Sequence, residues 1–267
     1  MTIWHNQRYK DDNTPIFSFS DRVRLGDGVF DTMLAIDGEI IHPMRHFKKL
    51  LRSARIMGID VSHDIEDMIE AAKNLLNENH LKNGRVIINV LVSRGPAEHG
   101  LAIPSPADVQ IAMRAFTAPN PMPAPKKLVF ARSVRRNEGS PLSQIKNFNY
   151  GDNILALAEA KDKGADEALM LNNKGNVACA TSANIAIVHH GRFYTPPLSD
   201  GCQGGVTREL FMERFDVTEK SLSEDDVQNA YALYLLNSIR GAVKIETLEG
   251  RKFPSEDLEI YKDFHLT

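Results

Sequence analysis

Cysteine is scarce in this sequence. The 267 residues include two cysteines, Cys179 and Cys202, and one tryptophan. Two cysteines cannot form the several disulfides that stabilise small secreted domains, and this pair lacks the CxxC or Cys/His spacing of a zinc site. The sequence therefore predicts a protein of the reducing cytoplasm without a bound metal.

Long apolar runs and an excess of basic residues are missing as well. No window approaches the ~18 consecutive apolar residues of a membrane-spanning helix, and the N-terminal MTIWHNQRYKDDN has no apolar signal-peptide core. With 32 Lys and Arg against 35 Asp and Glu, the formal net charge of -3 leaves no basic surface for nucleic acid. We therefore expect a soluble protein whose partners include neither a membrane nor nucleic acid.

Four prolines in the stretch FTAPNPMPAPKK, Phe116–Lys127, mark a boundary. Proline fixes φ and removes a backbone donor, so this stretch forms neither a helix nor a central strand. We predict an N-terminal domain over residues 1–117, a linker over 118–126 and a C-terminal domain over 127–267. Strands and helices do not alternate regularly in either part, which favours the α+β class with a ligand-binding cleft between the domains.

The first domain shows clear periodic segments. Val29–Ile41 breaks at Asp37-Gly38, a favoured hairpin turn, and predicts two antiparallel strands. Two stretches with the period of a helix follow, and then strands over 85–93 and 108–116. The predicted apolar face of the first helix consists of Met44, Phe47, Leu51, Ala54 and Met57.

The second domain repeats these signals. KLVFARSV predicts a strand, GDNILALAEAKDKG a helix that ends at Gly164, and DEALMLN a strand. A hairpin with its turn at His190-Gly191, a helix behind the glycines of GGVTREL and a short helix in LSEDDVQNA follow. The last predicted element is a strand over YALYLLNSIRGAVKIET that breaks near Arg240-Gly241 and then resumes.

Lys146 is the first candidate for chemistry. It follows Ile145 and precedes Asn147, Phe148 and Asn149, so its neighbours combine apolar bulk with neutral hydrogen-bonding groups. A partly desolvated lysine has a lowered pKa and forms imines with carbonyl compounds. The alternative is an ordinary surface lysine in a loop.

Two further segments are candidates for binding. In QGGVTREL, the glycines let a ligand approach the backbone, and the helix behind them offers the N–H groups of Val206 and Thr207 to a phosphate. Thr207 equally fits a plain N-cap. In LLNSIRG, polar residues follow a buried strand, where they either line a site or form a turn.

Together these segments resemble the class IV aminotransferases of pyridoxal-phosphate fold type IV, which include branched-chain and D-amino-acid aminotransferases and 4-amino-4-deoxychorismate lyase. The similarity runs from DRVRLGDGVFDT through HFKKLLRSA, SRG, IKNFNYGDNILALAEAKDKGADEALML, GNVACATSANIAIV and GGVTREL to LLNSIRG. It implies a two-domain fold-type-IV enzyme, a homodimer, with pyridoxal 5'-phosphate as its cofactor and a small amino compound as its substrate.

The resemblance also implies roles for individual residues. Lys146 carries the cofactor as an imine and then transfers protons. The other implied cofactor contacts are Lys49, Tyr150, Cys179, Val206, Thr207, Ser238 and Ile239. The implied substrate contacts are Phe30, His99, Asn237 and Arg240.

Three positions depart from the family pattern. Cys179 stands where a glutamate usually keeps the pyridine nitrogen protonated, His99 stands where an arginine usually binds a substrate carboxylate, and Lys49 stands for a phosphate-binding arginine. Helical periodicity puts Lys49 off the predicted apolar face, so it either faces the cleft or is solvated.

The change at Cys179 bears on the reaction. Amino-group transfer depends on a protonated pyridine ring, whereas pyruvate elimination from 4-amino-4-deoxychorismate ends in an aromatic ring and is less demanding. The sequence therefore favours the lyase. The alternatives are an aminotransferase for a D-amino acid, branched-chain amino acid or amine, and a catalytically impaired relative that only binds the cofactor.

Overall fold

The computed structural model describes residues 1–119 and 124–254. Its contacts divide the chain into two compact units, Met1–Met122 with Lys146–Asn149 and Pro123–Ile145 with Tyr150–Thr267. Of the predicted linker over 118–126, residues 120–123 lie outside the described part of the chain.

The division differs from the predicted one in the segment that contains Lys146. We expected Lys146 in the C-terminal domain, whereas Lys146–Asn149 belongs to the first unit. The reason is backbone pairing, because the Phe30 N–H donates to the Lys146 carbonyl at 2.9 Å and Val29 forms an antiparallel bridge with Asn147. Local sequence does not reveal such a pairing between distant segments.

The first unit is built on one six-stranded antiparallel sheet with the order β2-β1-β6-β5-β3-β4. Its elements are β1 Thr2–His5, β2 Arg8–Asp11, β3 Gly28–Ile36, β4 Glu39–Ile40, α1 Pro43–Ile56, α2 Ile65–Glu78, β5 Arg85–Ser93 and β6 Gln110–Thr117, with a 3-10 turn over Arg22–Leu25.

The predicted hairpin of the first unit is confirmed. β3 and β4 pair through Ala35 and Ile40. Asp37 and Gly38 both have positive φ, 49° and 85°, which is the backbone of a tight hairpin turn. The two predicted helices and the strands β5 and β6 are also present.

The buried face of α1 differs in part from the prediction. Leu50 is 1% exposed, whereas Leu51, which we expected in the core, is only half-buried. His46 and Ser53 are buried beside Phe47 and Ala54. The face is therefore rotated toward His46 and is more polar than its apolar residues suggested.

The second unit contains two five-stranded sheets, with the orders β12-β11-β10-β13-β14 and β16-β15-β7-β8-β9. The strands are β7 Lys127–Phe130, β8 Glu167–Leu171, β9 Val177–Ala180, β10 Asn184–His189, β11 Arg192–Thr195, β12 Val217–Glu219, β13 Ala232–Asn237, β14 Gly241–Lys244, β15 Thr247–Leu248 and β16 Arg251–Lys252. The helices are α3 Gly151–Asp162, α4 Val206–Arg214 and α5 Glu224–Gln228, with 3-10 turns over Pro141–Gln144 and Leu198–Asp200.

The two sheets of the second unit share one apolar core. Phe130 and Leu169 from one sheet and Ile185 and Leu233 from the other belong to the same buried cluster. A second cluster joins the alanines of α3 to β8 and β9, and a third joins α4 to β10 and β13. Each sheet therefore carries a helix on its outer face, as expected for layered α+β packing.

Among the helices of residues 1–119 and 124–254, none is long and apolar enough to cross a membrane. In the same ranges, no group of three His, Cys, Asp or Glu side chains is arranged to hold a metal ion.

Candidate active site

Lys146 is held against the first strand of the hairpin. The Phe30 N–H donates to the Lys146 carbonyl at 2.9 Å, and the Phe148 N–H donates to the Gly28 carbonyl at 3.0 Å. Lys146 Nζ lies 4.9 Å from the centre of the Phe30 ring, which stacks on Phe148 at 6.3 Å. Gly28 permits this packing, because a Cβ there would lie 2.2 Å from the Phe148 ring. The structure thus brings the predicted residues Phe30 and Lys146 together.

The Lys146 amine is partly shielded from solvent. The residue is half-buried, and in the described part of the chain no hydrogen bond or ion pair involves Nζ. Burial lowers the pKa of the Lys146 amine, and the charge of Asp31 opposes this shift. A lysine of lowered pKa presents more of the neutral amine that attacks a carbonyl carbon or accepts a proton. Lys146 is therefore not a fully solvated loop residue.

Lys49 belongs to a buried polar cluster. Its Nζ donates to Asp31 Oδ1 at 3.1 Å, and its side chain is only 11% exposed. His46, one turn earlier on α1, contacts Asp31 Oδ2 through Nδ1 at 2.9 Å. The alternative of a solvated Lys49 is therefore wrong, since a carboxylate on β3 draws the lysine inward.

His99 lies on an exposed loop after β5. Arg22 holds the next residues of this loop by donating to the carbonyls of 100, 101 and 102 at 3.2–3.3 Å. The Arg22 guanidinium also donates to Asp27, as does that of Arg94. The loop is therefore anchored by a buried ion cluster, while the His99 side chain itself faces solvent.

In the second unit, the loop before α4 fits tightly around its glycines. The Asn184 amide donates to the Gln203 carbonyl at 2.8 Å, and a Cβ on Gly205 would lie 2.2 Å from Asn184 Oδ1. Gly205 is the N-cap of α4 and supplies no side chain to the helix end. The first N–H groups of a helix have no partner within the helix, so those of Val206 and Thr207 are available to an anion.

The turn after β13 comes close to this helix end. Thr207 Oγ1 lies 3.4 Å from Ser238 Oγ. Asn237 Oδ1 accepts the N–H groups of Ile239 at 3.1 Å and of Arg240 at 2.9 Å, which fixes the turn. The structure therefore brings Thr207 and Ser238 together, and the Asn237 side chain stabilises the backbone of the turn.

Tyr150 precedes α3 and is half-buried. Its hydroxyl accepts a hydrogen bond from Gln203 Nε2 at 2.8 Å. Because the Gln203 carbonyl accepts from Asn184, the same residue links Tyr150 to the loop that precedes α4. The loop before α4, which is the candidate phosphate-binding segment, therefore orients the Tyr150 hydroxyl through Gln203.

Cys179 is buried in β9 with 6% exposure. Burial raises the pKa of the Cys179 thiol, Arg136 acts in the opposite direction, and Glu167 adds to the rise. Burial and neighbouring charges also raise the pKa of Cys202 to about 12. Both thiols are free and neutral at physiological pH.

Glu167 is the carboxylate that acts on Cys179, but its oxygens are occupied. Oε1 accepts from the Thr181 hydroxyl and from the N–H groups of Ala168 and Thr181, and Oε2 accepts from Ser182 Oγ at 2.8 Å. A carboxylate that is bonded in this way stabilises the β8–β9 connection. It does not replace the glutamate that the family pattern has at position 179.

Several residues around Lys146, Lys49, Tyr150 and Cys179 were not predicted from the sequence: Asp31, His46, Arg136 and Gln203. For Asp31 and His46 a signal existed, because His46 and Lys49 are three positions apart on a helix and so share a face. Burying two such side chains requires an anion nearby, which a search of β3 would have found in Asp31. Gln203 contacts Tyr150 and Asn184, and Arg136 donates to the carbonyl of Gly201. These partners lie far away along the chain, so neither residue carries a local signal.

Comparisons with known proteins agree with the motifs. Residues 28–248 match the family model described as amino-transferase class IV. A Methanocaldococcus jannaschii protein, provisionally named branched-chain-amino-acid aminotransferase, is 30% identical over 258 residues, which cover 94% of this chain and 89% of that protein. The D-alanine aminotransferase of Staphylococcus epidermidis is 25% identical over 256 residues, covering 93% and 89%.

A solved structure matches the fold along most of the chain. The Legionella pneumophila protein provisionally named 4-amino-4-deoxychorismate lyase superposes with a TM-score of 0.86 at 28% identity, covering 94% of both chains. The predicted fold class, an α+β fold of type IV, is confirmed. The match of the family model over most of the sequence establishes the family: the chain belongs to the class IV aminotransferases, which are pyridoxal-phosphate-dependent enzymes.

Proposed function

We propose that this chain is a pyridoxal-phosphate-dependent lyase that eliminates pyruvate from 4-amino-4-deoxychorismate and yields 4-aminobenzoate. The observation that carries the proposal is the pair formed by Cys179 and Glu167. Position 179 offers a buried, neutral thiol, and the nearby carboxylate is saturated by Thr181 and Ser182. The site therefore lacks a free anion at the position where the family uses one.

The residues fit the cofactor in two respects. A half-buried amine suits the covalent attachment of an aldehyde, and the Lys146 amine is half-buried and makes no hydrogen bond within residues 1–119 and 124–254. A helix end with available N–H groups, Val206 and Thr207, suits a phosphate, and the hydroxyls of Thr207 and Ser238 add donors. Gly205, the N-cap of α4, makes no side-chain hydrogen bond to the helix end.

When bound, pyridoxal phosphate withdraws electrons from the carbon that carries the amino group of the substrate, most strongly when its ring nitrogen is protonated. A neutral thiol at Cys179 does not favour that protonation. An elimination that ends in an aromatic ring requires less electron withdrawal than amino-group transfer does. This difference favours the lyase.

The chain's own residues then have separate tasks. Lys146, with its lowered pKa, takes the proton from the carbon that carries the amino group. Val206, Thr207 and Ser238 hold the phosphate. The aromatic ring of Phe30 lies under the Lys146 amine and suits a substrate ring. Lys49, which Asp31 engages, offers only a partly neutralised charge to the phosphate.

An aminotransferase is the second candidate. It is favoured by the names of the two relatives, a branched-chain and a D-alanine aminotransferase, which match nearly the whole chain. An aminotransferase would form a keto acid in an amount proportional to the amino donor supplied. The lyase forms 4-aminobenzoate and pyruvate in equal amounts without any acceptor.

The test supplies synthetic 4-amino-4-deoxychorismate to the purified protein and measures both products. We expect equal amounts of 4-aminobenzoate and pyruvate, no product from Lys146→Arg, and normal product from Lys82→Arg, a matched change at an exposed lysine. Keto acids from D-alanine or branched-chain donors, without 4-aminobenzoate, would instead establish the aminotransferase. Borohydride treatment followed by peptide mapping identifies Lys146 as the attachment site if the label is found there.

We further propose that the enzyme is a cytoplasmic homodimer. Free buried thiols suit a reducing compartment. Ile154 and Leu155 on α3 are 66% and 57% exposed, which suits a contact with a second copy of the chain. Light scattering after chromatography should give twice the chain mass for the wild type and a lower mass for Leu155→Lys. A monomeric wild type would contradict the proposal.

A further inference from the structure

Asp31 is a buried anion whose two oxygens both have hydrogen-bond partners. Oδ1 accepts from the Thr32 N–H at 2.9 Å and from Lys49 Nζ at 3.1 Å. Oδ2 lies 2.9 Å from His46 Nδ1, and because an ionised carboxylate only accepts, Nδ1 is the donor. Burial opposes the charge of Asp31, but Lys49 and His46 outweigh it and hold the pKa of the carboxyl well below its usual range. Asp31 is therefore a permanent negative charge.

This charge acts on the reactive lysine, because it opposes the fall in the pKa of the Lys146 amine that burial causes. Lys146 pairs with Phe30, the residue before Asp31, so the backbones of Asp31 and Lys146 occupy neighbouring positions of the ladder. They are not bonded to each other, and in the two described ranges Nζ has no ion-pair partner. The protonation of Lys146 is therefore decided by burial and by the nearest fixed charges.

The charged neighbours of Asp31 within the unit are few. α1 contributes His46 and Lys49, and the segment after Lys146 contributes only asparagines and an aromatic residue. On the adjoining strand β5, the residue opposite Asp31 is Val90, which is apolar. The balance at Lys146 thus depends on one anion and on the cation that partly neutralises it.

We propose that Asp31 is a positioning residue that sets the protonation of the Lys146 amine, and that Lys49 limits how much of the Asp31 charge reaches it. The catalytic meaning of this pair rests on the function proposed above for Lys146. The electrostatic effect itself is independent of any cofactor. An anion that acted alone would keep Lys146 protonated and unreactive, whereas the cation on Asp31 Oδ1 leaves enough neutral amine for attack and proton transfer.

Two variants should therefore act in opposite directions. Asp31→Asn removes the anion and leaves Lys49 uncompensated, so both changes disfavour a proton on Lys146. Lys49→Met removes the cation, so the Asp31 charge acts more strongly and favours the proton. A structural role alone would disturb Lys146 in the same way in both variants.

The experiment measures the reaction of Lys146 with trace acetic anhydride by peptide mass spectrometry at several pH values. It uses the full chain after hydroxylamine has removed bound cofactor. The exposed Lys82 in the same unit is the internal reference, and Lys48→Met, an exposed neighbour of Lys49 on α1, is the matched control.

At neutral pH, we expect labelling of Lys146 relative to Lys82 to rise roughly tenfold in Asp31→Asn and to fall by a similar factor in Lys49→Met. Lys48→Met should equal the wild type. Changes in the same direction, or no change, would overturn the proposal. If Asp31→Asn does not fold, the fall in Lys49→Met against Lys48→Met decides alone.

The result is separable from the proposed function. If the two variants change the labelling in opposite directions but the protein never forms 4-aminobenzoate, the role of Asp31 is supported and the lyase assignment is wrong. If the protein forms 4-aminobenzoate but the labelling of Lys146 is unchanged in both variants, the lyase assignment is supported and the proposed role of Asp31 is wrong.

Discussion

Replacing Asp27 by asparagine should destabilise the first unit strongly. The carboxylate is 8% exposed and accepts three charged donors: Arg22 Nε at 2.6 Å, Arg94 Nε at 2.8 Å and Arg94 Nη2 at 3.0 Å. Asparagine keeps the shape of the side chain but removes the charge. Two buried guanidinium groups then lose their anion.

The magnitude follows from what remains around the two arginines. Removing one partner of a buried ion pair typically costs about 3–5 kcal/mol. Arg22 still donates to the carbonyls of residues 100–102, and Arg94 still donates to those of Met57 and Gly58. These bonds favour the lower end, about 3 kcal/mol, which for a chain of this size lowers the Tm by about 6–12 °C.

Calorimetry and urea unfolding of Asp27→Asn and of the control Asp60→Asn check the estimate. Asp60 is exposed, so its variant should stay within about 0.5 kcal/mol of the wild type. The reasoning fails if the Asp27 variant loses less than about 1 kcal/mol, because the buried ions would then not need each other.

The same residue predicts how stability depends on pH. Burial opposes ionisation of Asp27, but the hydrogen bonds and charges of Arg94 and Arg22 outweigh it and hold its pKa below the usual 3.8. A lowered folded-state pKa contributes stability above the unfolded pKa, and this contribution disappears as the pH falls through the folded value. The gap between wild type and Asp27→Asn should therefore narrow on acidification below about pH 4, in unfolding measurements at a series of pH values.

Three further predictions concern the second unit and the site. Gly205→Ala puts a Cβ 2.2 Å from Asn184 Oδ1, so it should lower the free energy of unfolding by about 1–3 kcal/mol and weaken cofactor binding, as measured by unfolding and by cofactor titration. Gly151→Ala is the control, because its Cβ meets no atom within 4 Å. Equal behaviour of the two variants would contradict the prediction. Ser223→Ala removes the capping box that Ser223 forms with Asp226 and should lower the free energy of unfolding by about 1 kcal/mol, with an unchanged urea midpoint as the contrary result. Phe30→Leu removes the ring 4.9 Å from Lys146 Nζ, which favours the charged amine, so the labelling of Lys146 at neutral pH should rise and not fall.

Elements whose sequence pattern is local could be predicted from the sequence. The strand predicted over 85–93 is β5 with the same ends, because its alternating burial needs only the residues of the strand itself. The turn at His190-Gly191 has two positive φ values, 48° and 74°, as the glycine indicated. By contrast, β1 and β2 were missed, since their turn at Asn6-Gln7 contains no glycine and β2 is an exposed, charged edge strand.

Other elements are too short or too dependent on partners for such a pattern. β12, β15 and β16 contain three, two and two residues, which is too few to show a repeated alternation of buried and exposed side chains. They exist because a neighbouring strand supplies the hydrogen bonds, as β7 does for β15. The same holds for the segment of Lys146, which pairs with β3 through its backbone and so joins a unit that its position in the sequence did not indicate.

Lys49 explains why the candidate site was only partly predictable. Periodicity counts apolar residues along one helix, and on that count Lys49 lies off the buried face. The partner that reverses this conclusion, Asp31, lies 18 residues earlier in a strand. The negative charge of a buried carboxylate must be compensated, so His46 and Lys49 are buried beside Asp31 although the apolar periodicity of α1 does not indicate it. The motif around Lys146 predicts the reactive residue, but the charges proposed to set its protonation come from ion pairs that form only when α1 packs on β3.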